Sequence, residues 1–150
     1  MTAPGPPLVL DFELVQDAPP PADFRAEAAA RFAEFALRRE GAAGPWIVTV
    51  ALVDDARLRE LHRAFMGIDE PTDIMTFPAD EPGAGGGDIA ISVDRAAEQG
   101  PAHGNTPAAE VMFLIAHGLL HLCGWDDASA GDREAMIARQ AELIAEFSRS

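Results

Sequence analysis

The chain has 150 residues and a formal charge of −14, because 25 acidic residues face only 11 basic ones, all of them arginine. This length suits one compact domain, and the single cysteine excludes an intrachain disulfide or a zinc site built from several thiolates. The acidic surplus has the wrong sign for general electrostatic binding of nucleic acid, so a polyanionic substrate would need local arginines and a metal ion.

The N-terminal segment lacks the features of a secretory signal. It has no basic start, and Asp11 and Glu13 interrupt its apolar run within a few residues. No stretch of the sequence approaches the roughly 18 apolar residues that a membrane span requires. We therefore expect one domain over residues 1–150, in the cytoplasm and without a membrane segment.

The first half of the chain predicts alternating strands and helices. Alternating apolar residues predict a strand over 8–15, and apolar residues at three- and four-residue steps predict a helix over 22–40. The β-branched segment 46–53 predicts a central strand. A helix is predicted over 56–65, with Asp54 or Asp55 as its N-cap.

The second half predicts a hairpin followed by helices. Strands are predicted over 74–77 and 88–93, joined by a glycine-rich turn over 83–87 as an antiparallel pair. A short helix follows over 94–99, and then a loop. Thr106 as cap and Pro107 at the first position predict a buried, central helix over 107–122. The last predicted helix covers 129–147.

This order of elements predicts the fold class. Strands and helices alternate first, and a strand pair and further helices follow. We expect an α/β (α+β) domain in which a small mixed sheet of about four strands packs with about five helices.

The segment AHGLLHLCGWDD predicts a metal site. His117 and His121 are four residues apart on the central helix, so both imidazoles project from one face. Gly124 allows the chain to reverse, which would bring Asp127 over that face. Two nitrogens and one carboxylate oxygen leave a tetrahedral ion one open position, as catalytic zinc sites do. The alternative is a pair of core histidines satisfied by hydrogen bonds, since two ionisable rings on an apolar helix are costly unless something coordinates or hydrogen-bonds them.

Three ordered motifs resemble the YbeY family of rRNA-maturation endoribonucleases. The family signature H-G-x-L-H-L-x-G-[YW]-D-H is matched from His117 to Asp126. The segment GIDEPTDIMTFP, from Gly67 to Pro78, is similar to a second family motif. Gly87, Asp88 and Ile89 are similar to a third. The resemblance runs from about residue 61 to the end and is weaker upstream.

Two positions depart from the family pattern. The third histidine of the family is Asp127 here, and the arginine taken to contact the scissile phosphate is Met66. Aspartate can bind zinc, but its charge would weaken the ion as a Lewis acid and favour harder ions such as manganese. Arg63 lies three residues before Met66 on a similar helix face and is a candidate replacement. The alternative for Arg63 is an ordinary solvated helix surface.

The resemblance implies a metal-dependent endoribonuclease that cleaves single-stranded or precursor rRNA and contacts ribosomal components, but not DNA. The cofactor would be one Zn²⁺ ion, with Mn²⁺ as the alternative. The nucleophile is left open between a metal-activated water and the ribose 2′-hydroxyl. Two other functions are considered: a metalloprotease, against which Gly118 speaks because zincins carry glutamate there, and a ribosome-associated factor without catalysis.

The remaining polar and sulfur-containing residues have structural interpretations. Cys123 is about 200° round the helix from His121, which predicts a core thiol. Of the two histidines outside the motif, His103 in the predicted loop is a better candidate for a proton shuttle than His62. Structural or surface positions are expected for His62, Asp73, Asp88, Met75 and Met112.

Overall fold

A four-stranded mixed sheet forms the centre of the protein. The computed structural model describes residues 5–80 and 85–150. The strands are β1 (Val9–Gln16), β2 (Pro45–Val53), β3 (Ile74–Pro78) and β4 (Gly85–Ser92). The strands lie side by side in the order β1-β2-β4-β3. Strands β1, β2 and β4 are parallel to one another, and β3 pairs antiparallel to β4. The predicted mixed sheet and its antiparallel pair are both confirmed.

Five α-helices accompany the sheet within the described residues. They are α1 (Ala26–Arg39), α2 (Asp55–Met66), α3 (Val93–Gln99), α4 (Pro107–Leu122) and α5 (Ala130–Arg149). Asp54 is the N-cap of α2 and accepts a hydrogen bond from the Arg57 amide. A short 3-10 helix, Gly100–His103, occupies part of the segment predicted as a loop. No helix in the described ranges combines the length and apolarity needed to span a membrane.

The two faces of the sheet bury different helices. Val48, Val50 and Leu52 alternate along β2 into the larger core, where α1, α4 and α5 pack. Val53 and Ala90 face the opposite side and form a smaller core with Leu58 of α2. The strands therefore lie between two helical layers, and α4 sits on the better-covered face.

Helix α1 starts later than the predicted range of 22–40. Asp23 has a φ of 70°, and the Phe24 amide donates to the Pro21 carbonyl in a turn. A non-glycine residue in this left-handed region cannot continue a right-handed helix. Residues 22–25 are thus outside the helix, and Arg25 becomes the N-cap.

Strand β4 begins inside the segment predicted as a glycine-rich turn. Residues 83 and 84 of that turn lie outside the described residues, whereas residues 85–87 pair with β2 and β3. Gly86 and Gly87 have φ values of 108° and 147°, and a Cβ at either would collide with backbone of a neighbouring strand. Glycine here permits close strand approach, which the composition alone cannot separate from a turn. The strand ends at Ser92, and Val93 already belongs to α3.

Candidate metal centre

Helix α4 carries two histidines on a face that remains partly open. The Thr106 side chain accepts from the Ala109 amide, and Pro107 occupies the first turn, where its missing N–H costs nothing. Most of the helix is buried against the sheet and its neighbouring helices. His117 and His121 are 17% and 22% exposed, so their imidazoles are fixed by packing yet accessible from solvent.

The chain reverses immediately after α4 through two hydrogen bonds. The amide of Gly124 donates to the His121 carbonyl, and that of Trp125 donates to the Leu120 carbonyl. This pattern is a Schellman motif, and Gly124 supplies its left-handed residue with a φ of 99°. The reversal returns Asp127 to the face of α4 that carries the histidines, as predicted.

Three ligand atoms converge at this reversal. The Nε2 atoms of His117 and His121 are 3.0 Å apart. Asp127 Oδ2 lies 3.4 Å from each of them. Atoms bound tetrahedrally to one zinc ion at about 2.0–2.1 Å lie roughly 3.3 Å from one another. The three side chains therefore fit one small divalent ion without rearrangement.

Each of the two imidazoles has a hydrogen-bond partner at Nδ1. His117 Nδ1 is 2.9 Å from the side-chain oxygen of Gln140, and His121 Nδ1 is 3.0 Å from the Trp125 carbonyl. An oxygen acceptor on Nδ1 assigns the proton to that nitrogen and leaves the Nε2 lone pair free. Oxygen acceptors of this kind orient histidine ligands in metal proteins and raise their basicity. The donor set is thus arranged for an ion, and the hydrogen bonds satisfy each ring without occupying Nε2.

A cleft of about 660 Å³ opens beside the triad. Its lining includes His117 and Asp127 of the triad together with Arg133, and its apolar wall comes from α4 and α5. That wall includes Phe113, Leu114, Ile137, Ala141 and Ile144. A cleft of this size accommodates a nucleotide-sized ligand next to the site.

The far end of the cleft is polar and is organised by a buried carboxylate. Glu110 is 0% exposed and accepts from Gln99 Nε2 at 2.8 Å and from Asn105 Nδ2 at 2.9 Å. His103 Nδ1 lies 3.0 Å from the same carboxylate. Gln99 also donates to Asp73. His103 therefore lines the metal cleft from the 3-10 helix, as an oriented group rather than a free loop side chain.

The other residues singled out in the sequence take separate positions. Arg63 is exposed in the last turn of α2, and a role for it stays a prediction. Met66 is 61% exposed and lines a neighbouring apolar cleft with Phe65 and Phe77. His62 bonds the Glu70 carbonyl, and Asp88 is exposed on β4.

The sulfur-containing residues lie in or against the cores. Met75 is buried beneath α2, and Met112 is partly buried against the larger core. Cys123 is the C-cap of α4 and packs against the larger core. Its burial, with a smaller contribution from the Glu40 charge, raises the pKa of the thiol to about 11. A thiol with so high a pKa is a poor metal ligand at neutral pH.

Sequence reasoning missed Gln140, Glu110 and Arg133. The first two carry a recognisable signal, since each is a polar residue at a buried helix position. Gln140 is 1% exposed and lies four residues after Met136 on the apolar stripe of α5. A buried polar residue needs a hydrogen-bonding partner, and in both cases the partner is in the cleft or the site. Arg133 carries no such signal, because arginine is common in the first turns of exposed helices.

The position after His117 separates this site from zinc proteases. In the H-E-x-x-H pattern a glutamate follows the first histidine and acts as general base. Here a Cβ on Gly118 would lie 2.8 Å from the Ile89 side chain of β4. Position 118 faces the sheet rather than the site, which leaves no room for a catalytic glutamate.

The fold and the triad define an α/β protein with a candidate site for one metal ion, built from two histidines and one aspartate. A family model described as Endoribonuclease YbeY matches residues 17–148 of the sequence. The chain therefore belongs to the YbeY family, whose members are metal-dependent endoribonucleases acting in rRNA maturation.

Individual relatives agree with this assignment. Endoribonuclease YbeY from Moorella thermoacetica is 40% identical over 127 residues, which cover 77% of this chain and 81% of that protein. Its counterpart from a Roseiflexus species is 38% identical over 123 residues, covering 74% and 76%. The solution structure of TM1509 from Thermotoga maritima has a TM-score of 0.62 at 24% identity, covering 91% of this chain and 89% of that one. This last likeness concerns the fold.

Proposed function

We propose that this protein cleaves single-stranded regions of ribosomal RNA precursors with one divalent ion held by His117, His121 and Asp127. The observation that carries the proposal is the convergence of three ligand atoms within 3.4 Å of one another in a member of the YbeY family. The work would be done in the cytoplasm, with ribosomal components as partners, because rRNA precursors are made there.

The protein residues have separate parts in this proposal. Gln140 and the Trp125 carbonyl hold the imidazoles with Nε2 towards the ion. Asp127 contributes the third ligand atom and a negative charge. When bound, the ion would polarise the phosphodiester and activate a nucleophile. The apolar wall of the cleft supplies a surface for a base next to the scissile phosphate.

We propose zinc as the physiological ion because two imidazole nitrogens and one carboxylate suit it. The carboxylate at position 127 leaves manganese as the alternative, since harder ions prefer oxygen. Purification without an affinity tag, followed by elemental analysis, identifies the bound ion. Stoichiometric zinc supports the first choice, and manganese supports the second.

The central test is a cleavage assay on labelled RNA. Metal-depleted protein should be inactive towards a single-stranded RNA, and zinc or manganese should restore cleavage, with duplex RNA cut more slowly. Asp127→Ala should lose about 100-fold or more activity together with bound metal. Asp132→Ala removes an exposed carboxylate from α5, and we expect it to behave as the wild type.

A substrate with one 2′-deoxyribose at the cut position identifies the nucleophile. Continued cleavage there indicates attack by water, and complete resistance indicates the ribose 2′-hydroxyl.

A non-catalytic ribosome-associated factor is the second candidate, favoured by the exposed methionine at position 66. Stoichiometric metal without cleavage of any RNA would establish that candidate instead.

A further inference from the structure

Arg133 lines the same cleft as His117 and Asp127 of the triad. It stands in the first turns of α5, six residues after Asp127, and lines the cleft together with His117. The residue is exposed. Six other arginines form ion pairs with carboxylates. Across residues 5–80 and 85–150, no carboxylate lies within ion-pair distance of the Arg133 guanidinium, which is therefore available to a ligand.

The rest of the cleft is unfavourable for an anion. Asp73, Glu110 and Asp127 line it, the chain carries a net charge of −14, and it contains no lysine. A phosphodiester brings one more negative charge, and cleavage adds further charge to its oxygens. Arg133 is the one arginine among the described residues lining this cleft. It is thus the arginine available to offset that charge within the cleft.

The resemblance described above implies an arginine where Met66 stands, and the Met66 side chain lies in the neighbouring apolar cleft. We propose that Arg133 binds the non-bridging oxygens of the scissile phosphate and so supplies from α5 the charge missing at position 66. This inference rests on the proposed function. A planar guanidinium donates two parallel hydrogen bonds to a phosphate, whereas the ammonium of a lysine acts as a point charge without this geometry.

The test compares arginine variants of the full-length, metal-loaded protein. Arg133→Gln should lower kcat/KM for single-stranded RNA by about 10- to 100-fold, and Arg133→Lys should restore part of the loss. Arg149→Gln makes the same charge change on the same helix about 24 Å further along its axis, and we expect an effect of less than about 2-fold. Metal content and unfolding midpoints are measured for each variant.

Binding to a matched pair of oligonucleotides separates phosphate contact from a structural role. Both are short 2′-O-methyl RNAs, and one carries an uncharged methylphosphonate at its central linkage. Arg133→Gln should weaken binding of the phosphodiester version about 10-fold and leave binding of the methylphosphonate version unchanged. A purely structural role for Arg133 would weaken both to the same extent.

Three results would overturn the inference: equal weakening of both oligonucleotides, equal losses in Arg133→Gln and Arg149→Gln, or a loss found in Arg63→Gln but not in Arg133→Gln. Failure of the proposed function looks different. A wild-type protein that cuts no RNA, yet binds the phosphodiester oligonucleotide through Arg133, refutes cleavage and supports the inference. Cleavage by the wild type that is unchanged in Arg133→Gln supports the proposed function and refutes the inference.

Discussion

Gln140 contacts the candidate metal ligand His117 and is not itself one of the three converging residues. Its side-chain oxygen accepts from His117 Nδ1 at 2.9 Å, and its amide nitrogen donates to the Phe113 carbonyl at 3.2 Å. Gln140→Met keeps the volume but removes the oxygen that fixes the ring. We expect metal affinity to fall by about 10- to 100-fold, measured by competition with a chromophoric chelator. Unchanged affinity would show that packing alone orients His117.

Gly118 sets the distance between α4 and the sheet. An added Cβ would meet three atoms of the buried Ile89 side chain at 2.8–3.0 Å. Gly118→Ala should therefore lower the free energy of unfolding by about 1–3 kcal/mol, despite the better helix propensity of alanine. Urea unfolding of the metal-free protein measures the change. Gly131→Ala is the control, because a Cβ there meets nothing within 4 Å, and we expect a neutral or slightly stabilising effect.

Cys123 should react slowly while the protein is folded. Its pKa of about 11 exceeds the ordinary 9.0, chiefly because of burial. The metal-free folded protein should be alkylated by iodoacetamide at pH 8 about 100-fold more slowly than the urea-unfolded chain. Equal rates would place the thiol in solvent.

The same shift of the Cys123 pKa makes stability depend on pH. The unfolded chain releases the thiol proton first as pH rises, so the stabilising contribution is complete below about pH 9 and is lost towards about pH 11. Unfolding of the metal-free protein across this range should therefore show a steeper decline than unfolding of Cys123→Ala. Identical slopes would contradict the assignment.

At the scale of elements, Glu40 joins three segments that are distant in sequence. It follows α1, accepts from Trp125 Nε1 at 2.7 Å, and forms an ion pair with Arg139 of α5 at 2.8 Å. Its side chain is only 10% exposed. The contact therefore connects the end of α1 to both the metal-site turn and the last helix.

Replacing Glu40 by glutamine should weaken this junction. The change removes the nearer of two carboxylates paired with Arg139 and leaves only the exposed Glu142 at 3.7 Å, so we expect about 1–2 kcal/mol of lost stability by urea unfolding. Glu34→Gln is the matched control on the same helix, because its pair with Arg38 is half-exposed at 3.5 Å, and its loss should cost less than about 0.5 kcal/mol. Similar costs for both variants would show that burial of the pair contributes nothing.

The sequence predicted the types of the strands and helices correctly, but it misplaced the start of α1 and the start of β4. Apolar spacing predicted the strands and helices because burial determines that spacing. The start of α1 depends on the backbone conformation of Asp23, which no side-chain pattern records. The start of β4 depends on how closely strands approach at Gly86 and Gly87. The first error arises from a local turn at Asp23 and the second from close strand approach, and the spacing of apolar residues records neither.

The triad was predictable because it is local in sequence. A helical repeat of four and one glycine turn bring His117, His121 and Asp127 together. Gln140 and Glu40 act on this region from 23 and 85 residues away, in their contacts with His117 and Trp125. Such pairs require knowledge of how helices pack, which one sequence does not contain.

At the scale of the whole molecule, ion binding should stabilise the fold. The unfolded chain lacks the arranged triad, so a free ion concentration of 100 times the dissociation constant adds about 2.7 kcal/mol. For a chain of this size that corresponds to an increase of about 5–10 °C in the unfolding midpoint. Calorimetry with added zinc measures this increase. Asp127→Ala should lose most of it, and magnesium should have little effect on the wild type.

The helix that holds His117 in place is synthesised last. His117 and Glu40 both find partners on α5, which the ribosome synthesises after α4. A nascent chain that has emerged only as far as α4 displays two imidazoles without the amide that aims one of them and without the third ligand. The three candidate ligands are therefore present once residue 127 has emerged, but His117 gains its Nδ1 partner only when α5 has been made and packed.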